Sequence, residues 1–328
     1  MPRVIVIGAT GYIGNALALS LVRSGNHVVW GIARTEEKAR PLAVEEINPI
    51  ICADPIKDGA VWHDVVRKHH IDVVVDCSPI SPDILVLLDA VKKLGQERLE
   101  TAAKEGVKFQ KLGFVHVSGT WLHGDSKVMV SDTTPAGTPS APSPALTISA
   151  ARPGWEQIIL KAQDVLDVII IRPGLVYGRT SWVFSPVFQP ILDAVRSGAS
   201  TAQIPIYADA IPSFVHLEDV ASGLHAAVDK LPLIAGTGVY PIFDLVTSHE
   251  PLRFIAEGAA TALGLNAKVE FVGPGDNVFF QALTSSSNCD SSRARQLLGW
   301  VPKRVGMLPK IDVYARAWLA NVEGASKA

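Results

Sequence analysis

Val4-Ile5-Val6-Ile7 runs into Gly8-Ala9-Thr10-Gly11-Tyr12-Ile13-Gly14, which opens an amphipathic stretch from Asn15 to Val22. A β-branched apolar run predicts a buried strand, and its passage through glycine into helical periodicity predicts a strand-turn-helix unit. The three glycines have separate tasks. Gly8 permits the tight turn, Gly11 lets the backbone approach a pyrophosphate, and Gly14 lets the helix pack closely on the strand. The helix N-terminus then presents unpaired N–H groups and a partial positive charge to the phosphates. The expected consequence is a dinucleotide site, with Gly8, Thr10, Gly11, Tyr12, Ile13 and Gly14 around the phosphates.

Short β-branched runs continue to alternate with helical stretches over the first 178 residues. Strands are predicted at Val4–Ile7, His27–Ile32, Pro49–Ala53, Asp72–Asp76, Phe114–Ser118 and Asp167–Arg172, with a long helix from Ile84 to Glu105. This is the pattern of an α/β, doubly wound parallel Rossmann sheet. The prolines at 135, 139, 142, 144 and 153 make residues 131–153 a loop. After Gly178 the pattern is mixed, with helices near 186–197, 218–230 and 252–263, a strand near 240–246, and a last helix from Ser292. It predicts a second, smaller mixed α/β substrate lobe. Residues 1–178 and 215–243 are assigned to the nucleotide domain, and 179–214 and 244–328 to the lobe.

The second strand bears on which dinucleotide is bound. A site for NAD usually ends that strand with an acid that accepts from the ribose hydroxyls, whereas NADP needs a cation for its 2′-phosphate. Here the strand ends Gly31-Ile32-Ala33-Arg34. With no acid at the tip and a guanidinium beside it, NADP(H) is the expected cofactor. Asp54, after the third strand, is placed near the adenine, and Ser78, ending the fourth, where the chain passes over the cofactor.

A formal charge of −2 supplies no basic field for nucleic acid or anionic lipid, so a small-molecule substrate is the expected partner. No apolar run reaches the length of a membrane span. The first strand starts too early to leave room for a secretory leader, and Cys52, Cys77 and Cys289 are odd in number and widely spaced. Both features point to free thiols and a cytoplasmic protein. No His-x-x-x-His spacing with an acid suggests a metal.

Three further segments join the glycine motif: Arg172-Pro173-Gly174-Leu175-Val176-Tyr177-Gly178, Phe214-Val215-His216-Leu217-Glu218-Asp219-Val220, and Ala294-Arg295-Gln296-Leu297-Leu298-Gly299-Trp300-Val301-Pro302. With all four in this order, the chain resembles the epimerase/dehydratase branch of the extended short-chain dehydrogenase/reductase superfamily along nearly its whole length. The resemblance implies that Pro173, Gly174 and Leu175 lie beside the nicotinamide, that His216 and Asp219 have packing or capping roles, and that the chain pairs into a homodimer through its long helices. It also implies a catalytic tyrosine with a lysine four residues later. Aligning Glu156 with the family's glutamate puts Ile148 at the tyrosine and Arg152 at the lysine, and no tyrosine of the chain has a lysine at the fourth position.

The pair is absent. A placed general acid is worth roughly 10²- to 10⁴-fold in rate, so a substitute is expected. Ser118 and Thr120, at the end of the fifth strand, are candidates to bond a substrate carbonyl. His123 brings an imidazole, the side-chain type suited to acid-base work near neutral pH, and Tyr177 is a further candidate proton donor. Arg152 is expected to grip the ribose, but a guanidinium cannot shuttle protons. Trp182, Phe184, Phe188 and Phe214 are candidates for an apolar substrate pocket. The readings open at this point are an atypical NADP(H)-dependent oxidoreductase or epimerase, a non-redox lyase or isomerase, and a catalytically silent NADP(H)-sensing regulator.

Overall fold

The computed structural model describes residues 1–325. Strands β1 (Arg3–Ile7), β2 (Val28–Ala33), β3 (Asn48–Ile51), β4 (Val73–Asp76) and β5 (Leu112–Val117) alternate with helices α1 (Tyr12–Arg23), α2 (Glu36–Val44), α3 (Ala60–Lys68) and α4 (Ile84–Glu105). There follow β6 (Ser126–Ser131), α5 (Arg152–Leu160), β7 (Leu166–Pro173), β8 (Leu175–Tyr177), α6 (Ser185–Ser197), β9 (Thr201–Ile204), β10 (Ser213–His216), α7 (Leu217–Ile234) and β11 (Ile242–Leu245). The chain ends with β12 (Ser248–His249), α8 (Leu252–Ala262), β13 (Lys268–Phe271), α9 (Val278–Leu283), β14 (Ser287–Asp290), α10 (Ser292–Leu297) and α11 (Ile311–Ala325).

Seven strands form one sheet in the order β11-β7-β5-β4-β1-β2-β3, and every neighbouring pair in it is parallel. The order reverses between β1 and β4, so a crevice opens at their carboxyl ends, where doubly wound sheets bind ligands. Alternation along β1 shows why the runs are apolar throughout. Val4 and Val6 join the core under α1, α2 and α7, while Ile5 and Ile7 join the core under α3 and α4. A sheet covered on both faces has no side on which a polar residue meets water.

A third core holds the smaller lobe, built from α6, α8 and α11. Its border with the nucleotide domain differs from the expected division at residue 244. Leu245, Ala294, Leu298 and Trp300 belong to the core beneath the large sheet, because β11 runs on through Leu245 and the Trp300 indole N–H donates to the Asp219 carbonyl at 2.9 Å. The helix predicted from Ser292 also stops early, at Leu297, and the last helix starts at Ile311. Gly299, with φ +68°, makes the intervening turn. Among the described residues, no helix is long and apolar enough to cross a membrane.

His216 and Asp219 act in the fold. The His216 ring accepts from the Glu218 N–H at 3.1 Å and so caps α7, while Asp219 accepts from the amides of Lys303 and Arg304. Burial, with the Arg304 and Arg179 charges behind it, pushes His216 down to about 3. The native state therefore binds this proton more weakly than the unfolded chain, whose histidine titrates near about 6.5. The contribution is complete above that value and is lost as pH falls towards about 3. Stability measured by urea unfolding should drop below pH 6 with a slope approaching ~1.4 kcal/mol per pH unit from this group. His216→Asn, which keeps a capping oxygen, should flatten that slope, and an unchanged slope would remove His216 as its source.

Candidate active site and cofactor cleft

The turn after β1 is shaped by what a side chain would strike. A Cβ on Gly8, whose φ is +81°, would stand 2.6 Å from the Cys77 carbonyl oxygen, and one on Gly14 would stand 2.2 Å from the Gly8 carbonyl oxygen. Gly11 is the N-cap of α1 and brings no capping side chain. The first helical bond runs from the Asn15 N–H to the Gly11 carbonyl, which leaves the amides of Tyr12, Ile13 and Gly14 at the open end. Such a cradle fits the pyrophosphate of a dinucleotide. A cleft of about 1020 Å³ opens over it, lined by Gly8, Thr10, Gly11, Tyr12, Ile13, Arg34, Asp54 and Ser78. Gly14 lies beneath, in the helix contact. The Tyr12 hydroxyl, donating to the Gly178 carbonyl at 2.7 Å, ties the cradle to the loop after β8.

At the adenosine end, Arg34 follows directly on β2 and is exposed. Among the described residues it makes no hydrogen bond or ion pair, so its guanidinium is free for a ligand. Asp54 lines the cleft, and one of its carboxylate oxygens, Oδ1, accepts from the amides of Ile56 and Lys57 at 3.2 and 2.9 Å. Those bonds, that from Lys57 first, hold it below its ordinary value. It shapes the turn that walls the cleft.

At the opposite end the chain brings together groups that are far apart in sequence. The Ser78 hydroxyl donates to Asp76 at 2.5 Å, and the other Asp76 oxygen lies 2.8 Å from His116 Nδ1. Asp76 and His116 are register partners across β4 and β5, which is why their side chains meet. Ser118, one residue past β5, lines the cleft, and its hydroxyl has no partner among the described residues. Thr120 opens the 3₁₀ turn Thr120–His123, is 6% exposed, and does not line the cleft.

Gly119 leaves room for Arg152, since a Cβ there would come within 2.8 Å of a guanidinium nitrogen, and the Pro173 carbonyl lies 3.7 Å from the same point. Arg152 thus stands beside the end of β7, where Pro173, Gly174 and Leu175 were expected to flank the nicotinamide. Pro173 is the last residue of β7, the Gly174 amide donates to the Leu245 carbonyl, and Leu175 starts β8. Arg152 Nε is buried without a hydrogen-bond partner. Burial pulls the Arg152 guanidinium down, opposed by Glu156. Ile148 sits apart in the 3₁₀ turn Thr147–Ser149 and is 40% exposed. Pro153 lies in the first turn of α5, where its ring cannot tolerate an α-turn before it, so 148 and 152 do not share a helical face.

Two expected proton donors are enclosed by the fold. His123 is 3% exposed, with Nε2 at 2.8 Å from Asp244 in a cluster with Cys289 and Arg172. It is a buried structural partner and does not reach solvent or the cleft. Tyr177 is fully buried in the small-lobe core and donates to the Arg304 carbonyl at 2.9 Å. Burial also drives its ionisation upward, away from neutrality. Phe184, Phe188 and Phe214 are core residues too. Trp182 alone of the four expected aromatics lines the cleft. The signal for its neighbours was weak: Trp121 and Phe279 are ordinary apolar residues in sequence, and only folding brings them to it.

Among the described residues, two groups have ligand-type atoms within 4.8 Å of one another, His27 with His225 and Asp229, and His123 with Asp244 and Cys289. Spacing shows only His225 and Asp229, one turn apart on α7, and the fold brings His27 to them, while all three members of the second group come from distant segments. In the second, Arg172 holds a guanidinium nitrogen 3.8 Å from Asp244 and supplies the positive charge there.

Residues 4–241 match the model of the NAD-dependent epimerase/dehydratase family. The chain is 23% identical over 334 residues to a UDP-glucose 4-epimerase of Neisseria meningitidis serogroup B, covering 93% of this chain and 94% of that one. It is 25% identical over 323 residues to a 3-diazoavenalumate denitrifying reductase of a Streptomyces species, covering 92% and 96%. The crystal structure of dTDP-glucose 4,6-dehydratase from Bacillus anthracis in complex with NAD superposes with a TM-score of 0.69 at 15% identity, covering 98% of each chain. With the family model spanning most of its length, this chain belongs to the NAD-dependent epimerase/dehydratase family.

Proposed function

We propose that the protein is an NADP(H)-dependent oxidoreductase acting on the carbonyl or carbinol group of a small organic substrate, without the tyrosine-lysine pair. The observation that carries this is one cleft that holds an unpaired cation, Arg34, at its adenosine end and a free hydroxyl, Ser118, in its wall, with the Arg152 guanidinium packed beside the neighbouring Gly119. The cofactor, when bound, supplies the hydride exchange. The chain's own residues do the rest. The amides at the start of α1 hold the pyrophosphate, Arg34 holds the 2′-phosphate, and Arg152 grips the ribose on the side where a lysine would stand. Ser118 Oγ holds a proton toward the substrate oxygen, and the nearby guanidinium favours the negative charge that develops there. Thr120, behind Ser118, supports the turn that places it.

A second reading has one observation in its favour. No tyrosine of the chain has a lysine at the fourth position, which suits an NADP(H)-sensing regulator as well as an enzyme with a substitute donor.

Fluorescence titration should show NADPH bound more tightly than NADH. Arg34→Ala should weaken NADPH by about 10- to 100-fold, the worth of a charge-assisted contact, and leave NADH nearly unchanged. Preference for NADH in the unmodified protein would overturn the NADP(H) assignment. NADPH consumption with an aldehyde or ketone panel then separates the oxidoreductase from a regulator, which binds without turnover.

A further inference from the structure

Trp182 is 60% exposed while its neighbours Phe184 and Phe188 are buried, and it lines the same cleft as Ser118. It is held in place. Phe279 stacks on it at 5.3 Å with 28° between the rings, and Phe279 meets Trp121 edge-on at 5.9 Å. Trp121 in turn carries the Arg152 guanidinium 6.0 Å from its ring centre. These contacts back Trp182, the one of the four side chains that lines the cleft, with a wall that runs behind it to the Arg152 guanidinium beside Gly119.

From this wall we infer that the substrate is a planar, conjugated carbonyl compound lying flat on Trp182, an inference that rests on the cleft being an NADP(H) site. An immobilised indole offers its π-face at little entropic cost, and such faces favour offset stacking with another flat π-system. Ser118, whose hydroxyl lines the same cleft, is the donor available to the oxygen of that substrate. Three arginines of the small lobe and its edge are engaged in ion pairs, Arg179 with Glu218, Arg196 with Glu323 and Arg253 with Asp209, and so are less available to the diphosphate of a sugar nucleotide.

The test is calorimetric titration of the NADP⁺-loaded protein with trans-cinnamaldehyde, its saturated counterpart 3-phenylpropanal, and UDP-glucose. Cinnamaldehyde should bind several-fold more tightly than 3-phenylpropanal, and UDP-glucose should show no binding. Trp182→Ala and Phe279→Ala should each weaken cinnamaldehyde about tenfold, while Trp182→Phe keeps most of the affinity. Phe279 lies outside the cofactor cleft, so Phe279→Ala should leave NADP⁺ affinity unchanged. Tighter binding of UDP-glucose, equal binding of the flat and saturated aldehydes, or indifference to Trp182→Ala each overturns the inference. Failure of NADP⁺ itself to bind overturns the cofactor reading instead, so the two failures are distinct.

Discussion

Glu156→Ala should destabilise the protein by about 3–5 kcal/mol, among the largest effects of any single substitution outside the glycine turn. Arg172 and Glu156 are 3% and 1% exposed. Arg172 Nε donates to the two Glu156 oxygens at 3.0 and 3.2 Å, and an Nη donates to the same carboxylate. Burial works against the Arg172 charge, and Glu156 outweighs it, so the guanidinium remains protonated. Removing the carboxylate leaves a buried cation whose nearest remaining acid is Asp244, with 3.8 Å between Arg172 Nη1 and Asp244 Oδ1. Asp244 bonds His123 and Cys289 through Oδ2, and its Oδ1, which faces Arg172, stands beyond hydrogen-bond reach. The price is mostly that of an unpaired charge, so Glu156→Leu combined with Arg172→Met should recover much of the loss. Urea unfolding at neutral pH measures both. A single variant within 1 kcal/mol of the parent would mean that water reaches Arg172 and that the pair is not sealed.

This pair also explains why the site was only partly legible in the sequence. The cofactor cradle was readable because everything it needs is local: a strand, three glycines at fixed spacing and a helix start. The six strands predicted before residue 178 are present, and the two plainest, β1 and β7, write their burial into four consecutive β-branched residues, Val4–Ile7 and Val168–Ile171. The short strands β6, β9, β13 and β14 carry no such run, and their partners lie far along the chain. Catalytic candidacy failed where it depended on which way a side chain points. His123 is turned inward by Asp244, 121 residues away, and Tyr177 by the Arg304 carbonyl, 127 residues away. Neither partner leaves a mark near the residue it controls. Arg152 is the opposite case, because alignment gave its place while only the packing around Gly119 and Trp121 reveals that its guanidinium is unpaired. Arg172, read in sequence as part of a nicotinamide-flanking segment, belongs to the ion pair that anchors α5 to β7.

Gly14→Ala and Gly11→Ala should both abolish tight cofactor binding, for reasons that one experiment separates. At Gly14 the added methyl would lie 2.2 Å from a backbone carbonyl oxygen, and no flexible side chain is available to give way. Helix α1 must then shift off β1, and overpacking of this kind costs about 1–3 kcal/mol. The displaced amides of Tyr12 and Ile13 no longer point at the pyrophosphate. At Gly11 the methyl would meet only the Gly8 carbonyl oxygen, at 3.2 Å, and the backbone there is extended, with φ −90° and ψ 174°. The cofactor-free fold should accept it with little change, but the methyl stands where the phosphates must approach. The expected pattern is a lowered unfolding midpoint for Gly14→Ala, a nearly parental midpoint for Gly11→Ala, and at least about a hundredfold loss of NADPH affinity in both. If Gly11→Ala kept parental affinity, the pyrophosphate would not be seated on the start of α1, and the 1020 Å³ cleft would have to hold its ligand in some other orientation.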